Sequence, residues 1–333
     1  MAPVNNTLCP LFLANSFLNS TLPSVPEFDI LPSCAGLPQG CACGVSDDSK
    51  AKDIYGTLNL LTEDVILSAK QEITEGVSIS LRSNLDGFKS SNTNRKHLNN
   101  TFVSLKDDGL GSFGWDKEIS FNTQISSHWD SFCHYPHQGT GIAYNSASCT
   151  REQLEGTTTN STKPPTLDQW QLRGGVVGRG VLLDYAKYVE SEGIQVSPFT
   201  YHSITAQILE EVADFQGTEL RAGDILVVRT GYVGALPKLN ETEQRNATRS
   251  AGSIGLEPSC DMARWIWNHQ FAAVAGDSPA VEAFNANLSS EYWELDKLSA
   301  HCHKSGKYSF FLTSIPFNVP NMIAGPPNAL AIL

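Results

Sequence analysis

Residues 118–134 read EISFNTQISSHWDSFCH, and this stretch decides how the rest of the chain is read. Ile119, Phe121, Thr123 and Ile125 alternate with Ser120, Asn122, Gln124, Ser126, His128 and Asp130. A strand repeats every two residues, so the pattern predicts one face packed into a core and a polar row on the other. Such a row is either a solvated outer face or the floor of a site. Strand and helix signals interleave on both sides of it. Thr62 caps a predicted helix over residues 63–73 that Gly76 ends, and Val77, Ile79 and Leu81 then alternate as a strand. Residues 181–183, 225–228, 271–275 and 308–312 are short apolar strands. Between them, Ile204, Ile208 and Val212 form a helical stripe closed by Gly217. Ser259 opens a helix bearing Met262, Trp265, Ile266 and His269, and Leu295, Leu298 and Cys302 mark another ended by Gly306. Strands interleaved with helices predict an α/β fold with a mixed sheet. Residues 1–45 lack periodicity and are rich in Pro, Ser, Asn and Cys, so they are expected to form an arm on a single domain spanning 46–333.

The chain has 333 residues, 41% hydrophobic and 17% charged, the balance of a folded domain. With 23 Lys+Arg against 35 Asp+Glu, the net charge of −12 repels phosphate backbones and anionic lipid. Nucleic acid and membranes are therefore not expected partners, and no apolar run approaches the ~20 residues that span a bilayer. Residues 1–19 show no basic n-region, and their best apolar stretch, 11–14, is too short for a signal-peptide core, so a cytoplasmic location is expected. The eight cysteines are dilute, and Cys41-Ala42-Cys43 lacks the spacer of a zinc or redox pair; most are expected to be ordinary buried thiols. Against a cytoplasmic reading stand seven Asn-x-Ser/Thr sequons, at Asn5, Asn19, Asn99, Asn160, Asn240, Asn246 and Asn287, which nothing else explains.

Gly109-Leu-Gly-Ser-Phe-Gly114 matches G-x-G-x-x-G, but polar residues precede it and a strand pattern follows, so it reads as a loop. The chemistry gathers in His128-Trp-Asp130-Ser-Phe-Cys-His134. On a strand, residues two apart share a face, which offers an imidazole and a carboxylate to one Zn²⁺ or Mn²⁺. The same pattern suits a strand end whose Asp and His only bond one another. His134 is placed to serve as general acid or base, with His137 nearby. Of His301 and His303 on the late helix, divergent directions allow only one to face a shared site, and His301 is the candidate. Asp277, after an apolar strand, either lines a site or caps a helix before Pro279.

Gln124-Ile-Ser-Ser-His128-Trp-Asp130-x-x-x-His134 resembles the H-x-G-T-H-x-D-x-P-x-H signature of the metal-dependent cyclase-like hydrolases, the family of kynurenine formamidase and isatin hydrolase. Residues 56–62, 179–184, 223–229, 273–277, 310–314 and 326–329 are similar to further motifs of its fungal-type branch. The resemblance covers residue 35 to the C-terminus. It implies a swivelling β/β/α fold, a homodimer or larger assembly, and hydrolysis of an amide or lactone bond in a small molecule. It further implies a divalent metal, one per chain, held by His128, Asp130 and His301, with His134 as proton shuttle. Gln124, Trp129, Phe132 and His137 are then the candidates for substrate contact. The chain departs from the pattern where Gln124 replaces the first histidine, Phe132 the proline, and Thr313 a later carboxylate. It also looks trimmed around residues 285–291. An alternative without metal is an acid–base cluster of His128, Asp130 and His134 that cyclises, dehydrates or isomerises a small molecule of secondary metabolism.

Overall fold

Residues Val176–Asp184 and Ile225–Arg229 are the longest apolar strand and its neighbour, and their alternation builds two cores at once. Val176, Leu182, Ile225 and Val227 point into one cluster, while Val181, Leu183, Leu226 and Val228 point into the other. A parallel strand covered on both faces reads as a continuous apolar run rather than an alternating one. That is why the sequence shows only the run 181–183 of a strand nine residues long.

The computed structural model describes residues 23–49, 51–87, 95–157, 163–248, 252–283 and 294–333. Its central sheet has six strands, labelled here β1 (Ser78–Ser80), β2 (Val176–Asp184), β3 (Ile225–Arg229), β4 (Ala273–Gly276), β5 (Ser309–Ser314) and β6 (Leu330–Ile332). Their order is β1-β6-β5-β2-β3-β4. The pairs β2–β3 and β3–β4 are parallel, and the pairs β5–β2, β5–β6 and β1–β6 are antiparallel, so the sheet is mixed as expected. Helix α1 (Glu63–Ala69) starts where Thr62 Oγ1 accepts from Val65 N, and a 3₁₀ turn, Lys70–Glu72, extends it. Helices α2 (Ala206–Gln216), α3 (Glu241–Thr248), α4 (Cys260–Asn268) and α5 (Asp296–Ser305) follow. Thr205 and Ser259 cap α2 and α4, and Gly217 and Gly306 end α2 and α5 in the left-handed conformation. Leu209, Val212 and Met262 of α2 and α4 cover one face of the sheet. Leu298 and Cys302 of α5, with Leu58, Leu60, Trp129 and Trp170, cover the other.

Two expectations fail here. The strand read through residues 118–130 is broken: Trp115–Ser120 pairs only with Asn99–Ser104 in an exposed hairpin, a turn follows, and Trp129–Asp130 forms a separate two-residue strand against Ala324–Gly325. Alternation marks a half-buried strand only where a second layer exists; Ile119 is 49% exposed, and among the described residues none covers this hairpin. The G-x-G-x-x-G segment connects the two hairpin strands; Gly109 and Leu110 close a π-helical turn, Lys106–Leu110, and the rest is loop. The cysteines also differ. Cys34–Cys43 and Cys133–Cys149 are disulfides, and among the described residues Cys41, Cys260 and Cys302 are free. Asp277, fully buried, accepts from Thr230 N and Oγ1 and from Gly231 N, tying β4 to the loop after β3 rather than capping a helix of its own.

Candidate active site

The segment that enters the site leaves the hairpin at Ser120 and turns inward, so that residues 125–129 are all buried. Ser126 Oγ donates to the Ser83 carbonyl and Ser127 Oγ accepts from Ser83 N, which ties the turn to the chain just beyond β1. His128 follows, fully buried, its Nδ1 2.7 Å from the Ser126 carbonyl. A carbonyl only accepts, so Nδ1 carries the proton and Nε2 is turned to the site. Nε2 lies 3.6 Å from Asp130 Oδ1, and on the other side of the same carboxylate His134 Nε2 lies 3.7 Å from Oδ2. Gln124 closes the group: its Nε2 donates to Asp130 Oδ1 at 3.0 Å and stands 3.0 Å from His134 Nε2. The structure thus brings together Gln124, His128, Asp130 and His134.

Burial holds the His134 imidazole below its ordinary value; Asp130 opposes that shift, while His128 and Arg95 add to it. Arg95 escaped the sequence reading. It lies in a polar loop without a signal, yet its Nη1 donates to the Gln124 carbonyl at 2.7 Å.

Asp130 and His134 line a cavity of about 360 Å³ together with Phe132, His137, Tyr144, Asn145 and, from the N-terminal segment, Leu37 and residues 41–43. Phe132 and Tyr144 are packed with ring centroids 4.6 Å apart, and both also line a second cavity, about 440 Å³, with Val25, Ala42, Val45, Gly56, Leu60 and Trp267. The N-terminal segment is fastened over these cavities. Gly44 N donates to Asn145 Oδ1, Tyr144 donates to Asp53, Trp267 Nε1 donates to the Pro26 carbonyl, and Arg264 pairs with Asp29. Burial and the Asp53 carboxylate hold the Tyr144 hydroxyl well above its usual range, so it remains a donor. Both disulfides frame the same region: Cys43 and Phe132 are wall residues, and Cys133 follows Phe132 directly.

Two sequence-predicted residues are elsewhere. Trp129, a candidate for substrate contact, is buried in the core, edge-on to Trp170, with Nε1 donating to Ser314 Oγ. Its position on a strand facing the sheet, opposite in direction to His128 and Asp130, explains the difference. His301 was read as the third metal ligand. Its Nε2 is 3.1 Å from Glu75 Oε2, before β1, whereas His128 adjoins Ser83, beyond β1. The chain runs extended beside β6 from Val77 to Leu81, about 13 Å at ~3.3 Å per residue, which sets the two contacts at opposite ends of β1. Among the described residues no three His, Cys, Asp or Glu side chains gather to hold a metal ion. His137 is on the cavity wall, hydrogen-bonded to Thr140 Oγ1. Among the described residues no helix is long and apolar enough to cross a membrane.

A family model described as "Putative cyclase" matches residues 53–283. Among solved structures, the chain is similar to a crystal structure of a novel cyclase, at 25% identity over 84% of this chain and 96% of that one, with a TM-score of 0.71. Isatin hydrolase A from Labrenzia aggregata bound to benzyl benzoate is similar at 15% identity, over 77% and 93% of the two chains, with a TM-score of 0.50. An isatin hydrolase bound to the product analogue thioisatinate is similar at 13% identity, over 82% and 99%, also at 0.50. The likeness to these two hydrolases is one of fold. No curated protein matches the chain.

Proposed function

The chain belongs to the family described as "Putative cyclase", and from that premise we propose that it is an enzyme working at the carbonyl carbon of an amide or lactone in a small, largely apolar molecule. His134 is the residue that moves the proton. The observation that carries this reading is the pairing of His134 Nε2 with the Asp130 carboxylate at 3.7 Å on the wall of the 360 Å³ cavity. Burial keeps the imidazole in its neutral, basic form near pH 7, and the adjacent carboxylate favours the imidazolium formed once it takes a proton. In the hydrolytic direction His134 takes a proton from water as the oxygen adds to the carbonyl carbon, then returns it to the departing nitrogen or oxygen. In the ring-closing direction a hydroxyl or amine of the substrate replaces water and the proton follows the same route. Phe132 and Tyr144 border both cavities, so a substrate with its carbonyl at His134 has an apolar second cavity for the remainder.

The divalent ion implied by the resemblance finds two convergent protein donors here, His128 and Asp130, against the three that a catalytic zinc site keeps. The residues described do not complete a site for it. One measurement favours a second reading, metal-assisted hydrolysis. Two donors bonded at about 2.1 Å to a tetrahedral ion stand about 3.4 Å apart, close to the 3.6 Å between His128 Nε2 and Asp130 Oδ1.

The test is a panel of small aryl lactones and formamides assayed with wild type and His134→Gln. Loss of kcat by about 10²–10⁴ with little change in KM is expected of a proton-transfer group. A kcat within about three-fold of wild type overturns the role. Activity that survives chelation supports the acid–base reading; activity lost to chelation and restored by Zn²⁺ or Mn²⁺ supports the second.

A further inference from the structure

Two features that the proposed chemistry does not use point in one direction. The first is cysteine pairing. Cys34 and Cys43 are joined with Cα atoms 5.8 Å apart, and Cys133 and Cys149 with Cα atoms 5.6 Å apart. A chain with two large cores does not need staples to fold. The reducing poise of the cytosol also works against keeping such bonds, which persist in oxidising compartments.

The second is the sequons. Asn5, Asn19, Asn160 and Asn287 lie outside the described residues. The other three asparagines, Asn99, Asn240 and Asn246, are all exposed. Asn99 opens the first strand of the exposed hairpin, with Thr101 exposed two residues on. Asn240 precedes α3, a helix with no buried residue, and Asn246 lies within it. Asn240 Oδ1 accepts from Glu243 N as a helix cap, a bond made by its oxygen and not by Nδ2, the atom that takes a glycan. None of the three lines either cavity, so glycans there leave the site open.

We infer that the chain matures in an oxidising compartment that transfers oligosaccharides, and that it carries Asn-linked glycans at Asn99, Asn240 and Asn246 together with two disulfides that brace the walls of the site. At each sequon a bond forms between Asn Nδ2 and the anomeric carbon of a lipid diphosphate-linked oligosaccharide. The bond from that carbon to the diphosphate breaks, the amide gives up one proton, and the lipid diphosphate leaves. Each disulfide forms as two thiols pass two electrons and two protons to a disulfide oxidoreductase. This departs from the cytoplasmic expectation, and it stands independently of the reaction proposed above.

The experiment uses the full protein isolated from the organism that makes it. An amidase that releases Asn-linked glycans, applied in ¹⁸O water, is expected to lower the intact mass and leave ¹⁸O-labelled aspartate at positions 99, 240 and 246. Alkylation without reductant is expected to label Cys41 and Cys260 and to spare Cys34, Cys43, Cys133 and Cys149. An intact mass equal to the bare polypeptide overturns the inference. So does alkylation of those four cysteines without reduction, even where glycans are found.

Discussion

Gly56→Ala tests how the site wall is built, because two separate effects meet at one atom. Gly56 has φ +59°, a conformation that disfavours any side chain by about 1–2 kcal/mol. A Cβ there would stand 2.7 Å from Phe132 Cζ and 3.3 Å from its Cε2, against an ordinary carbon–carbon separation of about 3.5–4.0 Å. The ring must give way by roughly 1 Å. Turning it off its rotamer costs about 0.5–1.5 kcal/mol, and disturbing its packing on Tyr144 costs a similar amount. The sum is about 2–5 kcal/mol. Gly76→Ala is the control, since Gly76 has φ +71° with nothing within 4 Å of the added carbon, so only the first 1–2 kcal/mol applies. Urea unfolding of both variants, each also in a Phe132→Ala background, separates the effects as a double-mutant cycle. Removing the ring should bring Gly56→Ala down to the level of Gly76→Ala. In the turnover assay Gly56→Ala should raise KM several-fold and leave kcat nearly unchanged, because the ring borders both cavities while His134 is untouched. Equal losses for the two glycine variants in both backgrounds would falsify the placement of Phe132 against Gly56.

Arg179→Met removes the guanidinium that pairs Glu72 at 2.8 Å and Asp224 at 2.6 Å while nearly buried; Glu72 keeps Lys307 at 3.1 Å, so the cost falls on the buried Asp224 and should be about 3–5 kcal/mol; a loss under about 1 kcal/mol in urea unfolding rules that out. Burial pushes the Asp277 carboxyl up to about 6. Between the unfolded value near 3.9 and about 6 the folded chain therefore holds a proton the unfolded chain has lost, and stability falls as pH rises through that window, by at most about 1.4 kcal/mol per unit. Asp277→Asn should flatten this slope, and unfolding free energies at pH 4.5 and 6.0 that differ as in wild type would contradict it. Cys133→Ser with Cys149→Ser opens a loop of sequence separation 16 and should lose about 3 kcal/mol. Wild type treated with reductant should move toward the same midpoint, and a midpoint shared by oxidised and reduced protein would refute the bracing role.

Where the sequence could be read, a local physical signal had one meaning. Thr62 and Ser259 each accept from the third residue on, as cap residues should, and the glycines at 217 and 306 end their helices with positive φ. The apolar runs of β2 and β3 became adjacent parallel strands. The His128-x-Asp130-x-x-x-His134 spacing did gather its side chains, although the strand inferred to carry it is broken after Ser120. Signals failed where their meaning depends on distant partners. Alternation through residues 118–125 needs a second layer to bury Ile119, and none is found among the described residues. His301 has helix spacing suited to an inward role, but the depth of β1 and β6 separates it from His128 and gives it Glu75 instead. Cys34 and Cys43 are nine residues apart, and Cys133 and Cys149 sixteen, spacings that announce no bond until the chain folds.

The Gln124 exchange brings these threads together. The resemblance places a histidine there, whose ring nitrogen offers a lone pair to a cation. An amide nitrogen has no such pair; it only donates. In this chain that nitrogen spends a hydrogen on Asp130 Oδ1 and lies against His134 Nε2. Electron pairs that a cation would draw on are thus committed to a hydrogen bond, and the neighbour of that bond is the His134 imidazole, which lines the cavity. The loop bearing that imidazole is fixed by Cys133 on one side and roofed by the segment that Cys43 fastens. A group that passes a proton must meet its partner at hydrogen-bond range, so rigidity around His134 matters more than charge at its centre. On the proposed acid–base reading, an amide where the signature has an imidazole, with two disulfides holding its surroundings, suits this group to handling a proton.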